Sequence, residues 1–70
     1  MKLLGIHDVV VVKRDYILAG VTLLKKDEKV QVVDFWAEPK AIVVQEIDQE
    51  TDKVIPCGKI WPVPEEYLKI

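Results

Sequence analysis

The sequence predicts an all-β fold, a small five-stranded barrel formed by one domain that takes in residues 1–70. Three observations lead there. Twelve valines and seven isoleucines stand against three alanines, and branching at Cβ, which restricts a side chain in a helix, suits a pleated strand. Apolar residues recur at every second position in several short stretches, the period of a half-buried strand. Polar segments and segments bearing proline or glycine separate those stretches at turn length. Closing such strands into a barrel hides edges that would otherwise pair with other chains.

Taken in order, the first strand runs from Leu3 to Lys13, with Leu4, Ile6, Val10 and Val12 on one face and Leu3, Val9 and Val11 on the other. Both faces are apolar, and in so small a domain only one meets the core. The second therefore calls for cover from a loop, the closing strand or another subunit. From Arg14 to Gly20 alternation fails, so this stretch reads as an irregular excursion. Two short strands, Thr22 to Leu24 and Val30 to Val33, flank a polar turn from Lys25 to Lys29. A loop from Trp36 to Lys40 interrupts pairing at Pro39.

A longer strand from Ala41 to Ile47 leads into the polar turn from Asp48 to Lys53, a hairpin tip, and its partner returns from Val54 to Trp61. Pro56 lies inside that partner and has no N–H to give a ladder, which places it at a sheet edge or at a bulge helped by Gly58. Pro62 and Pro64 rule out an α-helix near the end but allow a single 3₁₀ turn over Glu65, Glu66 and Tyr67. Leu68 to Ile70 then closes the sheet.

Composition removes several function classes. Half of the residues are hydrophobic and 31% are charged, too apolar for a disordered chain. The run Val9 to Val12 is as long an apolar stretch as the chain has, far short of the roughly 20 residues that span a bilayer. Lys2 is followed by Asp8 before any leader-like apolar segment develops. A cytoplasmic location and no membrane partner are the expectations.

Cys57 is the one cysteine, so neither an intrachain disulfide nor a cysteine-based zinc site is expected, and a buried apolar role suits it. There is no serine to act as a nucleophile. His7 and Asp8, as neighbours on a strand, point to opposite faces and make no catalytic dyad. No enzyme activity, metal or cofactor is expected.

The second half of the chain resembles the Src homology 3 family. Thr22-Leu23-Leu24-Lys25-Lys26-Asp27-Glu28-Lys29-Val30-Gln31-Val32 runs alongside that family's diverging turn, Leu-Ser-Phe-x-x-Gly-Asp-x-Leu-x-Val. The segment from Trp61 to Leu68 is similar to its ending, Gly-x-Ile-Pro-x-Asn-Tyr-Val, with Pro64, Tyr67 and Leu68 in register. Asp27 replaces the turn glycine, Trp61 replaces another glycine, and no paired tryptophans open the strand at Ala41 and Ile42. The resemblance implies a Src homology 3-like barrel, and a surface where extended, proline-rich peptides dock between aromatic side chains.

Two further echoes are local. Val33 to Glu38 resembles the strand before the thioredoxin active site without its dithiol, and Ile6 to Arg14 resembles the first strand of GroES-type co-chaperonins.

The expected function is a non-enzymatic protein-binding or assembly module. Its contact residues are Tyr16, Trp36, Trp61, Pro64 and Tyr67, and the expected partner is another protein or a second copy joined through the strand from Leu3 to Lys13. The alternative is a nucleic-acid-binding barrel using Lys13, Arg14, Lys25, Lys26 and Lys29. A net charge of -2 supplies no global attraction for phosphate, so nucleic acid is an unlikely partner unless those cations share one surface.

Overall fold

Seven strands and one 3₁₀ turn make up the chain in the computed structural model, which describes residues 4–69. They are β1 (Val9–Val12), β2 (Tyr16–Leu18), β3 (Val21–Leu24), β4 (Lys29–Ala37), β5 (Lys40–Glu46) and β6 (Ile60–Val63), then the 3₁₀ turn (Glu65–Tyr67) and β7 (Leu68–Lys69). Five strands form a curled antiparallel sheet in the order β6-β5-β4-β1-β7, and β2 and β3 form a separate hairpin. The predicted all-β class holds. Leu3 and Ile70, expected in the first and last strands, lie outside the described residues.

The core is one cluster drawn from six strands: Val10 and Val12, Leu24, Val30 and Val32, Ile42 and Val44, Val63, and Leu68. Every second residue contributes, as the pleat requires. A bulge between Val32 and Asp34 breaks the register of β4 with β5. Such an extra residue bends a strand and increases its twist. Before the bulge, β4 pairs with both β1 and β5; beyond it, β4 pairs with β5 alone. Val30 and Val32 are accordingly buried, while the stretch from Asp34 onward projects to the surface.

The first strand is shorter than its alternation implies. Residues 5–8 form a turn in which the Gly5 N–H donates to Asp8 Oδ2 at 2.8 Å and the Asp8 N–H donates to the Gly5 carbonyl at 3.2 Å. His7 has φ 76°. An Asp side chain that satisfies a local N–H competes with the ladder, so the regular register begins at Val9, although the His7 N–H still donates to Val32 O at 2.7 Å and Asp8 O accepts the Val32 N–H at 2.8 Å. His7 and Asp8 therefore belong to this turn and not to a strand. Val10 and Val12 enter the core as expected, but Ile6 is exposed and Val9 stands outside. β1 is paired on both sides, by β4 and β7, so it offers no open edge to a second copy.

The excursion between β1 and β4 is more regular than its sequence suggests. β2 and β3 pair as Tyr16↔Leu24, Ile17↔Thr22 and Leu18↔Val21, with an irregularity between Tyr16 and Ile17. Ala19 (φ 52°) and Gly20 (φ 78°) form the two-residue turn, where positive φ at both positions matches the twist of the flanking strands. After Leu24 the chain turns sharply: the Glu28 N–H donates to the Lys25 carbonyl at 3.1 Å, with Asp27 at φ 71°. The turn is held to β1 by Asp27 N–H to Val12 O and Val12 N–H to Glu28 O, both 2.8 Å.

Trp36 lies within β4 and not in a loop, because the connection to β5 needs only Glu38 and Pro39. The polar hairpin tip is found where expected, closed by Asp48 N–H to Lys53 O at 2.8 Å. Its Gln49 amide acts like an extra strand residue. It accepts from the Lys29 N–H at 2.7 Å and donates to the Lys29 and Ile47 carbonyls at 2.9 and 3.0 Å. The returning partner does not begin at Val54, which makes one isolated bridge to Ile47; β6 starts at Ile60.

Between them, Pro56 and Cys57 occupy a tight turn closed by Gly58 N–H to Ile55 O at 2.8 Å. Cys57 is therefore exposed, at φ 64°, and not buried as its apolar character suggests.

The edge proline is Pro62 and not Pro56. Glu46 N–H donates to Lys59 O at 2.9 Å. With the register Val44↔Trp61 and Ile42↔Val63, alternation directs the Trp61 and Val63 backbone groups at β5 and those of Ile60 and Pro62 outward. Pro62 has no N–H to offer on that side, and neither does Pro64 beyond it. Removing donors in this way blunts an edge. The opposite edge is the two-residue β7, docked by Lys13 N–H to Tyr67 O at 2.6 Å. No helix among the described residues is long and apolar enough to cross a membrane.

Candidate binding surface

The 3₁₀ turn carries the first site residues. Pro64 caps it with φ −59° and ψ 141°, the extended geometry its ring favours, and leaves Tyr67 as its last residue. β2 begins at Tyr16, at the irregularity in the hairpin register. The two rings meet at 4.9 Å between centroids with their planes tilted by 58°, which avoids the face-to-face sandwich that the ring quadrupoles disfavour. Both tyrosines are half-buried and pack against the core cluster.

Arg14 completes the group. Its guanidinium carbon lies 4.6 Å from the Tyr67 ring centroid, and its Nη2 is 3.1 Å from Glu66 Oε2. A planar cation over an aromatic face gains from the quadrupole, while the exposed ion pair adds little energy and mainly orients the guanidinium. The result is a two-tyrosine surface with a paired charge at its rim. It offers flat apolar faces, a cation and a carboxylate.

The two tryptophans are elsewhere. Trp61, half-buried, packs against the core with the Lys59 ammonium 5.6 Å from its ring, and shares a small pocket with β3. Trp36 and Phe35, opposite Ala41 and Ile42, line a groove of about 270 Å³ together with Leu4 and Glu65. Lys40 Nζ stands 3.8 Å from Glu65 Oε2 at that groove. The two tryptophan pockets share no lining residue. Of the five aromatic and proline positions singled out by sequence, the structure joins Tyr16 to Tyr67, with Pro64 shaping the turn beneath.

The basic group is divided. The excursion does fold over the diverging turn, since the Lys26 N–H donates to Asp15 Oδ1 at 2.7 Å. Arg14, however, is paired with Glu66, and Lys29 with Asp52 at the far hairpin. Lys13, Lys25 and Lys26 are exposed. Among carboxylates, Asp48 accepts the Glu50 and Thr51 N–H groups at 2.8 and 3.1 Å, and these donors hold its pKa below the usual aspartate value. No three His, Cys, Asp or Glu side chains among the described residues are grouped to hold a metal ion.

Sequence reasoning missed three exposed apolar residues on the β2–β3 hairpin, Ile17, Leu18 and Val21, and the Phe35 and Leu4 walls of the groove. The hairpin had a signal. Ala19-Gly20 sits midway in an uncharged stretch between two basic pairs. Comparison with protein-family models, with curated proteins and with solved structures gives no match in any of the three.

Proposed function

We propose that this chain is a non-enzymatic protein-binding or assembly module on a Src homology 3-like barrel, with its contact surface centred on Tyr16, Pro64 and Tyr67. The observation that carries the reading is the meeting of Tyr16 and Tyr67, distant in sequence, at the surface end of the core. Two features favour the family assignment: a diverging turn over residues 25–28, and a single 3₁₀ turn between the last two strands. Both stand at the positions the resemblance implies. An extended peptide loses little entropy on docking and stacks on flat rings, which suits a shallow two-ring surface. Trp61 and Trp36, which sit in pockets of their own, are further contact points for a partner larger than a peptide.

The test is a titration of isotope-labelled protein with proline-rich peptides, followed by amide chemical shifts. Shifts concentrate on Tyr16, Pro64 neighbours and Tyr67, and Tyr67→Ala weakens binding by about tenfold or more. If Trp61→Ala and Tyr67→Ala, both still folded by circular dichroism, leave every partner interaction intact, the aromatic-surface reading fails. Self-association through the first strand, on this reading, uses the outward side chains of Val9 and Val11, since the backbone of β1 is fully paired. A strictly monomeric native mass at high concentration eliminates it.

The nucleic-acid reading has less in its favour, because Arg14 and Lys29 already face carboxylates. Steep weakening of oligonucleotide binding with salt is its signature.

A further inference from the structure

The β2–β3 hairpin pairs only with itself and carries the most exposed large apolar side chains described: Ile17 at 55%, Leu18 at 57% and Val21 at 57%. They surround a tip of two small residues, Ala19 and Gly20. From Tyr16 to Leu24 there is no charged side chain; Lys25-Lys26 follow directly, and Lys13-Arg14 stand before it with Asp15 between.

Of the carboxylates near the hairpin's base, two meet cations and two, Asp15 and Glu28, only accept backbone N–H groups and keep their charge. Asp15 accepts the Lys26 N–H, Glu28 accepts the Lys25 N–H, Asp27 meets Lys69, and Glu66 meets Arg14. Among the described residues, the ammonium groups of Lys13, Lys25 and Lys26 enter no ion pair. These three lysines, with Asp15 and Glu28 among them, form a collar of slight positive excess at the base of an apolar finger.

We propose that this hairpin docks on an anionic lipid surface, with Ile17, Leu18 and Val21 entering the interface and Lys13, Lys25 and Lys26 at headgroup level. Length supports it. Three to four residues at roughly 3.3 Å each put the tip about 10 Å beyond the collar, comparable with the roughly 5–10 Å to which interfacial elements sink.

The order of chemistry along the finger also matches a bilayer surface: aliphatic tip, then Tyr16, then ammonium groups. A protein contact of the usual kind draws its energy from aromatic and arginine anchors and is poor in lysine. The exposed tip of this finger is aliphatic, and the cations at its base without an ion pair are all lysines. The sequence excludes a spanning segment, but lying at the interface needs no such length. The proposal is independent of the Tyr16–Tyr67 docking surface, which it uses only as the base of the finger.

Flotation of the full chain with vesicles tests it. Phosphatidylcholine vesicles containing roughly 30% phosphatidylserine carry the protein upward, and pure phosphatidylcholine vesicles carry less, by about fivefold for each lysine engaged. Leu18→Asp and Val21→Asp, both at exposed positions and checked for folding by circular dichroism, each lower the bound fraction by about tenfold or more. Lys25→Gln with Lys26→Gln lowers binding only to the anionic vesicles.

Absence of flotation with either vesicle overturns the proposal, as does flotation that Leu18→Asp leaves unchanged. A wild-type protein that ignores vesicles but forms an oligomer dispersed by Leu18→Asp overturns it in favour of a contact between copies.

Discussion

Leu23 and Leu24 are chemically identical neighbours on β3, and the pleat lets only one of them face the core. In the structure that residue is Leu24, 2% exposed within the central cluster, while Leu23 is half-buried. Truncating a buried leucine to alanine costs about 2–5 kcal/mol, the spread depending on how far the cavity collapses. For Leu23, which keeps part of its surface in water, the loss is about 1 kcal/mol. A chain of this length has about 3.5–10 kcal/mol of stability in total, so Leu24→Ala removes a large share.

With a urea slope of roughly 1 kcal/mol per M for a small domain, the midpoint falls by about 3 M for Leu24→Ala and about 1 M for Leu23→Ala. The same substitution at adjacent positions changes the unfolded chain almost equally, so the difference reports the folded state. Equal midpoint shifts, or a larger one for Leu23→Ala, would refute the register of β3 and with it the anchoring of the hairpin.

Gly58→Ala brings a Cβ to 2.8 Å from the Ile55 carbonyl oxygen and 3.2 Å from that of Glu46; since both are backbone atoms, a loss of about 1–3 kcal/mol is expected in urea melts. Asp48 has a lowered folded pKa through the Glu50 and Thr51 N–H groups, so its contribution is complete above the unfolded aspartate value of about 3.9 and vanishes as pH falls through the folded value. Stability measured on acidification into that range accordingly falls less steeply in Asp48→Ala than in the wild type. Pro62→Thr restores an outward N–H on the β6 edge, and sedimentation at rising concentration should then show more association than the wild type at the same concentration.

Some features were legible because they are written in a few adjacent residues. The 3₁₀ turn over residues 65–67 follows from Pro64, which sets its own φ and starts the turn. The polar tip after Asp48 follows from an aspartate whose carboxylate satisfies N–H groups two and three residues on. The binding surface was legible only in its parts. Tyr67 and Pro64 were visible through the resemblance, but that Tyr16 is the residue beside Tyr67, while Trp36 lines a different groove, depends on how distant segments meet.

Branched aliphatic residues at alternate positions, and short polar breaks between them, were enough by themselves to determine an all-β chain, because Cβ branching and turn chemistry act on each residue's own backbone. Tertiary structure decided which apolar residues are core. Where alternation begins depends on Asp8 closing a turn instead of joining a strand, and where it shifts depends on one bulge in β4. A displacement of one residue exchanges the two faces of a strand. Cys57 is exposed for a related reason: its burial was set by the turn that Gly58 closes, and not by the polarity of its side chain.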